Sequence, residues 1–272
     1  MSETTGPRDA RRPRIASLVP SLTELLIALG LGEYLVARTG FCIHPFAEVA
    51  RIPKVGGTKD VNLAKLRRLA PTHVLLNVDE NRREVVDAFA AWGGAALPRL
   101  VVTHPLAPED NLALLDQMRA EFGHLRGVNE QADNLARRLL EELAATQVSA
   151  GSARQVLYLI WRDPWMTVAR DTYISRMLAR IHWQTLPEAH GGAHGAARYP
   201  IVQGGEAWLQ RVQLVLLSSE PYAFGAPDVE AAHALCPRAE VRRVDGELLS
   251  WYGARSIAGL RYLRELAGSA TV

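Results

Sequence analysis

Short apolar runs alternate with amphipathic segments along this chain, and that alternation limits the folds available to it. Residues 15–19 form a short, partly β-branched run, and a helical pattern begins at Pro20. A second buried run, HVLLN, follows the amphipathic segment 62–70, and a similar run, LVLLSSEP, follows a short helical segment in the second half. Such alternation predicts mostly parallel sheets whose strands are connected by helical crossovers.

The middle of the chain has a different pattern. Apolar side chains recur at steps of three or four residues from Leu125 to Leu143, which predicts one long helix. The small polar segment 146–154 follows, and strand–helix alternation resumes at Gln155. We therefore predict an α/β fold with two lobes, each having a mostly parallel central sheet flanked by helices, joined by one long inter-lobe helix. The expected bounds are 14–124 for the N-terminal lobe, 125–147 for the helix and 153–268 for the C-terminal lobe.

Composition and charge narrow the functional classes. The 272 residues are 48% hydrophobic, and a net charge of +2 argues against a dedicated nucleic-acid-binding protein. No apolar run approaches the length of a membrane span, and the first residues lack the apolar core of a signal peptide. We expect a cytosolic location for the sequence as given, and a periplasmic one if the true start lies upstream. Two distant cysteines, Cys42 and Cys236, form neither a disulfide framework nor a paired thiolate motif.

Two aromatic pairs lie beside expected loops. Trp161 and Trp165 end an apolar strand and are separated by Arg-Asp-Pro, and Trp251 and Tyr252 follow another short strand. In α/β proteins, the loops after the carboxyl ends of strands form the ligand crevice. These residues fit a stacking surface for a large flat ligand, but they also fit a core with tryptophan near its loops. On these segments alone, core packing is the more common outcome.

His44 is the sharpest candidate for a metal contact. It lies in the loop sequence FCIHP, where an imidazole could serve as an axial ligand to a metal already held by a chelate. One histidine cannot build a protein metal site, and a loop histidine bonded to backbone is the commoner alternative. Cys42 is a candidate soft ligand beside it. His190 and His194 lie among glycines that disfavour a helix, so we expect a mobile loop there.

These segments together resemble the helical-backbone (class III) substrate-binding proteins of ABC importers, in the branch that binds cobalamin and iron chelates. The segments RIASLVPSLTELLIALGLGEYLVART and KVGGTKDVNLAKLRRLAPTHVLLN are similar to that family's first two strand–helix units. The segments LIWRDPW, LLSSEPYAF and DGELLSWYGAR look like its cobalamin-binding subgroup. The resemblance extends over about residues 14–267, which is nearly the whole chain.

The resemblance implies a binding protein that closes modestly around a corrinoid or metal chelate held between the lobes, with no cofactor of its own. Aromatic faces bury such a large, partly apolar ligand with little loss of entropy, and a few polar groups orient it. His44 is a further expected ligand contact, because it lies in a loop expected to face the crevice. The ligand contacts expected from the resemblance are Phe41, Trp161, Trp165, Tyr222, Trp251 and Tyr252.

The resemblance also implies glutamates that dock on a membrane permease. The first-lobe glutamate aligns with Glu24, which alternatively completes a capping box with Ser21. In the second lobe the corresponding docking position falls near 204–205, and Glu206 follows one residue later. An offset of one residue in a helix turns the side chain by about a hundred degrees, which would direct Glu206 away from a permease. Thr58 stands where cobalamin binders often carry an aromatic residue. These departures affect permease docking more than ligand binding.

Signals for catalysis are weak, and we predict no catalytic residues. The sequence has no G-x-S-x-G elbow and no H-E-x-x-H motif. A corrinoid- or chelate-binding protein associated with ABC-type import is the first hypothesis. The alternative is an enzyme, or a cytosolic carrier or sensor, acting on a metal cofactor on the same scaffold. The scarcity of cysteines and of a nucleophile–base pair favours the first.

Overall fold

The structure is a computed structural model that describes residues 12–94, 97–146 and 153–268. The chain divides into two compact units, one ending at Thr103 and the other beginning at His104. Each unit contains a four-stranded sheet in which every neighbouring pair of strands is parallel. The predicted α/β class with parallel sheets is confirmed. The predicted break between the helix and the C-terminal lobe falls mostly on 147–152, outside the described residues.

The N-terminal unit has its strands in the spatial order β2-β1-β3-β4. Its core lies where the apolar faces of β1 and β3 pack against the helices, around Leu66, Leu76 and Phe89. The strands are β1 (Ile15–Ser17), β2 (Leu35–Arg38), β3 (His73–Asn77) and β4 (Arg99–Thr103). The helices are α1 (Pro20–Ala28), α2 (Phe46–Val49), α3 (Leu63–Arg68) and α4 (Arg83–Ala90).

The C-terminal unit has the order β10-β9-β5-β7, with a separate antiparallel pair, β6 and β8. Its central strands read as unbroken apolar runs because both of their faces are buried. The strands are β5 (Arg154–Leu159), β6 (Trp165–Met166), β7 (Trp183–Thr185), β8 (Ile201–Val202), β9 (Leu214–Ser218) and β10 (Glu240–Val244). The helices are α5 (Asp110–Phe122), α6 (Val128–Ala145), α7 (Tyr173–Ala179), α8 (Ala226–Leu235), α9 (Gly246–Ser250) and α10 (Arg255–Gly268).

The long helix starts later than predicted. Helix α6 begins at Val128 and not at Leu125, because Gly127 precedes it with φ 82°, a left-handed conformation that glycine adopts at little cost. Helix α5, which the sequence analysis did not predict, packs against α6. Both helices belong to the C-terminal unit, whereas the sequence analysis placed 104–124 in the N-terminal lobe. A connecting role for α6 stays a prediction.

A buried carboxylate joins α6 to α10. Glu142 accepts hydrogen bonds of 2.5 Å from Arg261 Nε and from Arg264 Nη1. Burial alone would raise the pKa of Glu142, but the two guanidinium groups lower it below its ordinary value. The ion pairs therefore fix the last helix of the chain against the longest one.

Candidate functional site

The two central strands of the C-terminal sheet end side by side, and their loops carry three of the predicted ligand contacts. Strands β5 and β9 are parallel neighbours that end at Leu159 and Ser218. The turn after β5 carries Trp161 and leads to Trp165 at the start of β6, and the loop after β9 carries Tyr222. Because carboxyl ends of adjacent parallel strands share one edge of the sheet, these aromatic side chains are brought together.

The loop after β5 is a tight hairpin. The backbone amide of Met166 donates to the carbonyl of Trp161 (3.1 Å), and the amide of Ile160 donates to the carbonyl of Met166 (3.0 Å). Asp163 at the tip has φ 58°, a left-handed conformation that aspartate tolerates better than most residues. The hairpin leaves Trp161 41% exposed, while Trp165 is half-buried against the apolar core.

Four aromatic rings contact one another at this edge in a cluster that we call the aromatic wall, of which Phe224 is buried: Trp161, Trp165, Tyr222 and Phe224. Tyr222 lies edge-on to Trp161, with ring centroids 5.5 Å apart, and 4.8 Å from Phe224. Trp165 stacks on Phe224 with an interplanar angle of 17°. Phe224 was not predicted, although its spacing of two residues from Tyr222 in the sequence YAF was a usable signal. The accessible parts of Trp161, Trp165 and Tyr222 offer apolar ring faces to a ligand.

A charged pair braces the aromatic wall. The Arg162 guanidinium lies 5.2 Å from the centroid of the Trp165 ring, and its Nη1 donates to Oδ1 of Asp228 in α8. Asp228 is nearly buried, with its side chain 8% exposed, and its Oδ2 accepts from the amide of Gly225 (2.6 Å). Burial would raise the pKa of Asp228, but the Gly225 amide and Arg162 lower it. The pair ties the hairpin after β5 to the loop after β9.

The second predicted aromatic pair is buried. Trp251 and Tyr252 follow the short helix α9, not a strand as the sequence suggested. Trp251 is 7% exposed and lies under the Arg255 guanidinium, 4.6 Å from the ring centroid. Tyr252 is also buried and contacts Tyr173 edge-on. Both rings pack against protein in the described part of the chain, so direct ligand stacking by this pair stays a prediction.

Glu220 connects the buried pair to the aromatic wall. Its Oε1 accepts from Trp251 Nε1 (2.7 Å) and from Ser250 Oγ (2.8 Å), and the residue lies two positions before Tyr222. Burial raises the pKa of Glu220, although these two hydrogen bonds oppose the rise. A half-buried carboxylate therefore holds the base of the loop that carries Tyr222.

In the N-terminal unit, the loop after β2 carries Phe41 and His44. Phe41 is 63% exposed, and its ring lies against Gly57, where an added Cβ would come within 3.3 Å of Phe41 Cε2. Ile43 and Phe46 in the same loop region are also exposed. His44 is half-buried and joined to Pro45 by a cis peptide bond. The loop that the sequence analysis selected as a ligand contact therefore exposes apolar side chains on the surface of the unit.

Cys42 does not serve as a partner of His44 in this arrangement. Its side chain is fully buried, with Sγ 3.1 Å from Thr39 Oγ1, and burial raises the pKa of the thiol. Cys42 is therefore part of the core. The suggestion that Cys42 is a soft metal ligand is not supported.

A polar network behind the Phe41 loop was missed from the sequence. Asn81 Nδ2 donates to the carbonyl of Thr58 (3.0 Å), and Lys59 Nζ donates to the carbonyl of Asp79 (2.6 Å). These bonds hold the loop that contains Gly57 against the end of β3. The asparagine that closes HVLLN was the available signal, because polar residues at the carboxyl end of a buried strand often face a site.

The two predicted docking glutamates are in different environments. Helix α1 begins at Pro20, and no side chain caps it, so the predicted capping box of Ser21 and Glu24 is wrong. Pro20 takes the first helical position because its missing amide hydrogen is not needed there. Glu24 is half-buried in the middle of α1.

Glu206 is used by its own loop. Its carboxylate accepts from the backbone amides of Gln203 (2.7 Å) and Gly204 (2.8 Å). Burial would raise the pKa of Glu206, but these backbone hydrogen bonds lower it. The carboxylate therefore has a local structural role that requires no partner protein.

The glycine-rich segment with His190 and His194 is held by its neighbours. Asp171 accepts from the amides of Gly191 and Gly192 at 2.9 and 2.8 Å, instead of capping α7 as the sequence suggested; Thr172 is the capping residue. The buried Arg198 donates to the carbonyl of Gly192 (2.7 Å). These contacts argue against the mobile loop that the glycines suggested.

The described ranges, 12–94, 97–146 and 153–268, were compared with the requirements of a metal site and of a membrane span. No group of three or more histidine, cysteine, aspartate or glutamate side chains is placed to hold a metal ion there. No helix in these ranges combines the length and apolar character needed to cross a bilayer.

Comparisons with known proteins find relatives in sequence and in fold. No protein-family model matches the chain. An uncharacterized ABC transporter substrate-binding lipoprotein of Bacillus subtilis, YvrC, is 26% identical over 269 residues, which covers 93% of this chain and 79% of the relative. The vitamin B12-binding protein of Photorhabdus laumondii is 26% identical over 205 residues, 75% of this chain and 70% of the relative. The periplasmic vitamin B12 binding protein BtuF of Vibrio cholerae superposes with a TM-score of 0.75 and 16% identity, over 95% of this chain and 97% of BtuF.

The chain has the fold of the ABC-importer substrate-binding proteins. Its similar proteins are named as binding proteins and not as enzymes, which is the class that the sequence predicted. The resemblance drawn from the sequence motifs is thereby confirmed at the level of fold.

The pH dependence of stability tests the environment of Glu220. Because its pKa is raised in the folded protein, the folded state keeps this proton over a pH range in which the unfolded chain has lost it. Glu220 therefore costs stability as the pH rises from the ordinary carboxyl value of 4.5 through the raised pKa. Glu220→Gln cannot ionise but keeps an oxygen acceptor, so we expect its Tm to rise relative to wild type as the pH increases from 4 to 8.

Glu230→Gln removes the same charge from the exposed surface of α8 and serves as the control. Thermal unfolding of the three proteins across this range gives the comparison. A constant difference in Tm between wild type and Glu220→Gln would contradict the buried, ionisable environment described for Glu220.

Proposed function

We propose that this chain is the substrate-binding protein of an ABC importer and that its ligand is a corrinoid such as cobalamin, or a related metal chelate. The observation that carries the proposal is the aromatic wall, which places four rings at the carboxyl edge of the C-terminal sheet. A corrinoid is large, partly apolar and rimmed by amides. Rigid aromatic side chains bury such a ligand at low entropic cost.

The exposed residues of the aromatic wall are the primary contacts in this proposal. Trp161 and Tyr222 offer accessible ring surface, while Trp165 and Phe224 support them from behind. Trp251 contributes by donating to Glu220, which holds the loop of Tyr222, and direct contact of Trp251 and Tyr252 with the ligand is the further expectation from the resemblance. In the N-terminal unit, Phe41 supplies the exposed aromatic face.

The compartment belongs to the same proposal. Similar proteins are named as a lipoprotein and as a periplasmic protein. We infer that this chain works on the same side of the cytoplasmic membrane as they do, where an importer takes up its ligand. The cytosolic location expected from the sequence as given stays the alternative.

Removal of an exposed ring from the aromatic wall should weaken ligand binding. We expect Trp161→Ala and Tyr222→Ala each to lower the affinity for cyanocobalamin or cobinamide by roughly 10- to 100-fold, the effect of losing about 1.5–3 kcal/mol of apolar burial. Isothermal titration calorimetry with both corrinoids, haemin and a ferric siderophore measures this effect and identifies the ligand.

Trp208→Ala is the matched control, because Trp208 packs against the same core but lies outside the aromatic wall. We expect this variant to lose stability without losing affinity. Equal loss of affinity in all three variants would assign the effect to general destabilisation. Absence of binding to all four ligands by the wild type would refute the corrinoid and chelate proposal.

His44 is proposed as an axial ligand to the metal of the bound chelate. An imidazole that replaces a weaker axial ligand shifts the absorption bands of cobalt or iron. We expect a band shift on binding to wild type that is absent with His44→Ala, while His190→Ala, which removes an exposed histidine elsewhere, retains it. Binding without any band shift in the wild type would remove His44 from the metal and leave it as a loop residue.

Glu24 is proposed as the docking contact with the permease, and Glu206 is the weaker candidate because its own loop uses the carboxylate. A carboxylate on α1 can pair with arginines of a partner only while its charge is kept. We expect Glu24→Lys to abolish stimulation of ATP hydrolysis by the partner transporter in reconstituted vesicles, with ligand affinity unchanged. Glu84→Lys, an exposed reversal on α4, is the control and should leave stimulation intact.

A further inference from the structure

The charged residues beside the aromatic wall support an inference about ligand selectivity, which rests on the proposed function. We propose that Asp228 is a specificity-determining residue: it occupies Arg162, so that this arginine does not recruit an anionic group of a ligand. The site would thereby favour ligands rimmed by neutral amides over ligands that carry free carboxylates.

The position of Arg162 makes it the natural anion-binding group of this surface. It lies between Trp161 and Trp165 at the tip of the hairpin and is partly exposed, with its guanidinium over the Trp165 ring. An arginine beside stacked rings is well suited to bind a carboxylate at the edge of a flat ligand, because its planar fork matches the two oxygens. Left without an acid partner, this residue would select for anionic chelates.

Asp228 is built to prevent that selection. Its carboxylate is almost inaccessible and is fixed from the other side by the Gly225 amide, so it holds the guanidinium without strong competition from solvent. A charge-assisted contact with a nearly buried carboxylate is stronger than an exposed ion pair. A ligand carboxylate would have to displace Asp228, leaving that charge without its partner, which is costly.

The net charge around the hairpin points the same way. Arg162 is one cation, whereas Asp228 and Asp163 are two acids, and Asp163 Oδ2 lies 4.0 Å from Arg162 Nε. The tip of the hairpin therefore has no excess of positive charge to attract an anion.

A second arginine beside a tryptophan of this unit is neutralised in the same manner. Arg255 lies over the Trp251 ring, and its Nη1 is 2.7 Å from Glu247 Oε2. The side chains of this pair are both mostly buried. The unit thus retains arginine as a flat stacking group while an acid partner removes its net charge.

The experiment compares the affinities of Asp228→Asn for a dianionic and an amide-rimmed chelate. Asparagine can still accept from the Gly225 amide, but it no longer neutralises Arg162. We expect the affinity for haemin, which carries two carboxylates, to rise about tenfold relative to the affinity for cobinamide, the effect of one charge-assisted hydrogen bond. A purely structural role of Asp228 would weaken both ligands by the same factor.

Asp163→Asn is the matched control. It removes the same charge beside the same arginine, but its side chain is 92% exposed and lies at the limit of ion-pair distance. Solvent and salt screen such a charge, so we expect a change of less than about twofold in the ratio of affinities. An unchanged ratio in Asp228→Asn, or equal changes in both variants, overturns the proposal.

A ligand-independent measurement separates this inference from the proposed function. Reaction of Arg162 with phenylglyoxal, followed by peptide mass spectrometry, reports how strongly Asp228 occupies the guanidinium. We expect faster modification in Asp228→Asn than in wild type and Asp163→Asn, even if the wild type binds none of the chelates and the proposed function fails. Equal rates in all three proteins would refute the occupation of Arg162 by Asp228.

Discussion

Burial of β5 and β9 in the middle of the C-terminal sheet is the constraint from which the candidate site follows. Both strands are apolar on both faces, so they are stable only when helices cover the sheet on each side. Their parallel pairing then fixes their carboxyl ends next to each other. The loops must turn at that edge, and the rings at the start of each loop meet there. The aromatic wall is thus a consequence of strand burial and direction more than of any contact between its own rings.

One buried and one half-buried carboxylate determine the shape of the loops at this edge. Asp228 joins the hairpin after β5 to the beginning of α8, and Glu220 joins the loop after β9 to the end of α9. A carboxylate in a poorly hydrated place is stable only with donors around it, so each one fixes the groups that surround it. The exposed ring of Trp161 and the half-buried ring of Tyr222 are therefore placed by polar residues that need not touch a ligand themselves.

The sequence was sufficient for the fold class and for the residues of the hairpin, but not for the state of each tryptophan. Apolar runs of about five residues between amphipathic segments predicted parallel sheets, and the motif LIWRDPW marked Trp161 and Trp165 correctly as neighbours at a strand end. Before Trp251 the sequence analysis predicted a strand, whereas the structure has the helix α9. With only five residues, α9 is too short to show a helical pattern in the sequence. Ser21 and Glu24 matched the spacing of a capping box, yet Ser21 lies inside the helix that begins at Pro20, so its hydroxyl does not cap it. The bond between Arg162 and Asp228 joins residues 66 positions apart, and no local pattern encodes such a contact.

Fold and aromatic area alone do not select among flat chelates, because corrin and porphyrin rings offer comparable apolar faces to a tryptophan. Discrimination has to come from the rims, where one class of ligand has amides and another has carboxylates. Displacement of a buried acid from its arginine is far more costly than an exchange of hydration between two neutral groups. A paired arginine therefore rejects anionic rims and tolerates neutral ones, even though it still stacks on its tryptophan. Under our proposal, the exposed rings of the aromatic wall supply affinity and Asp228 limits which ligands can use them.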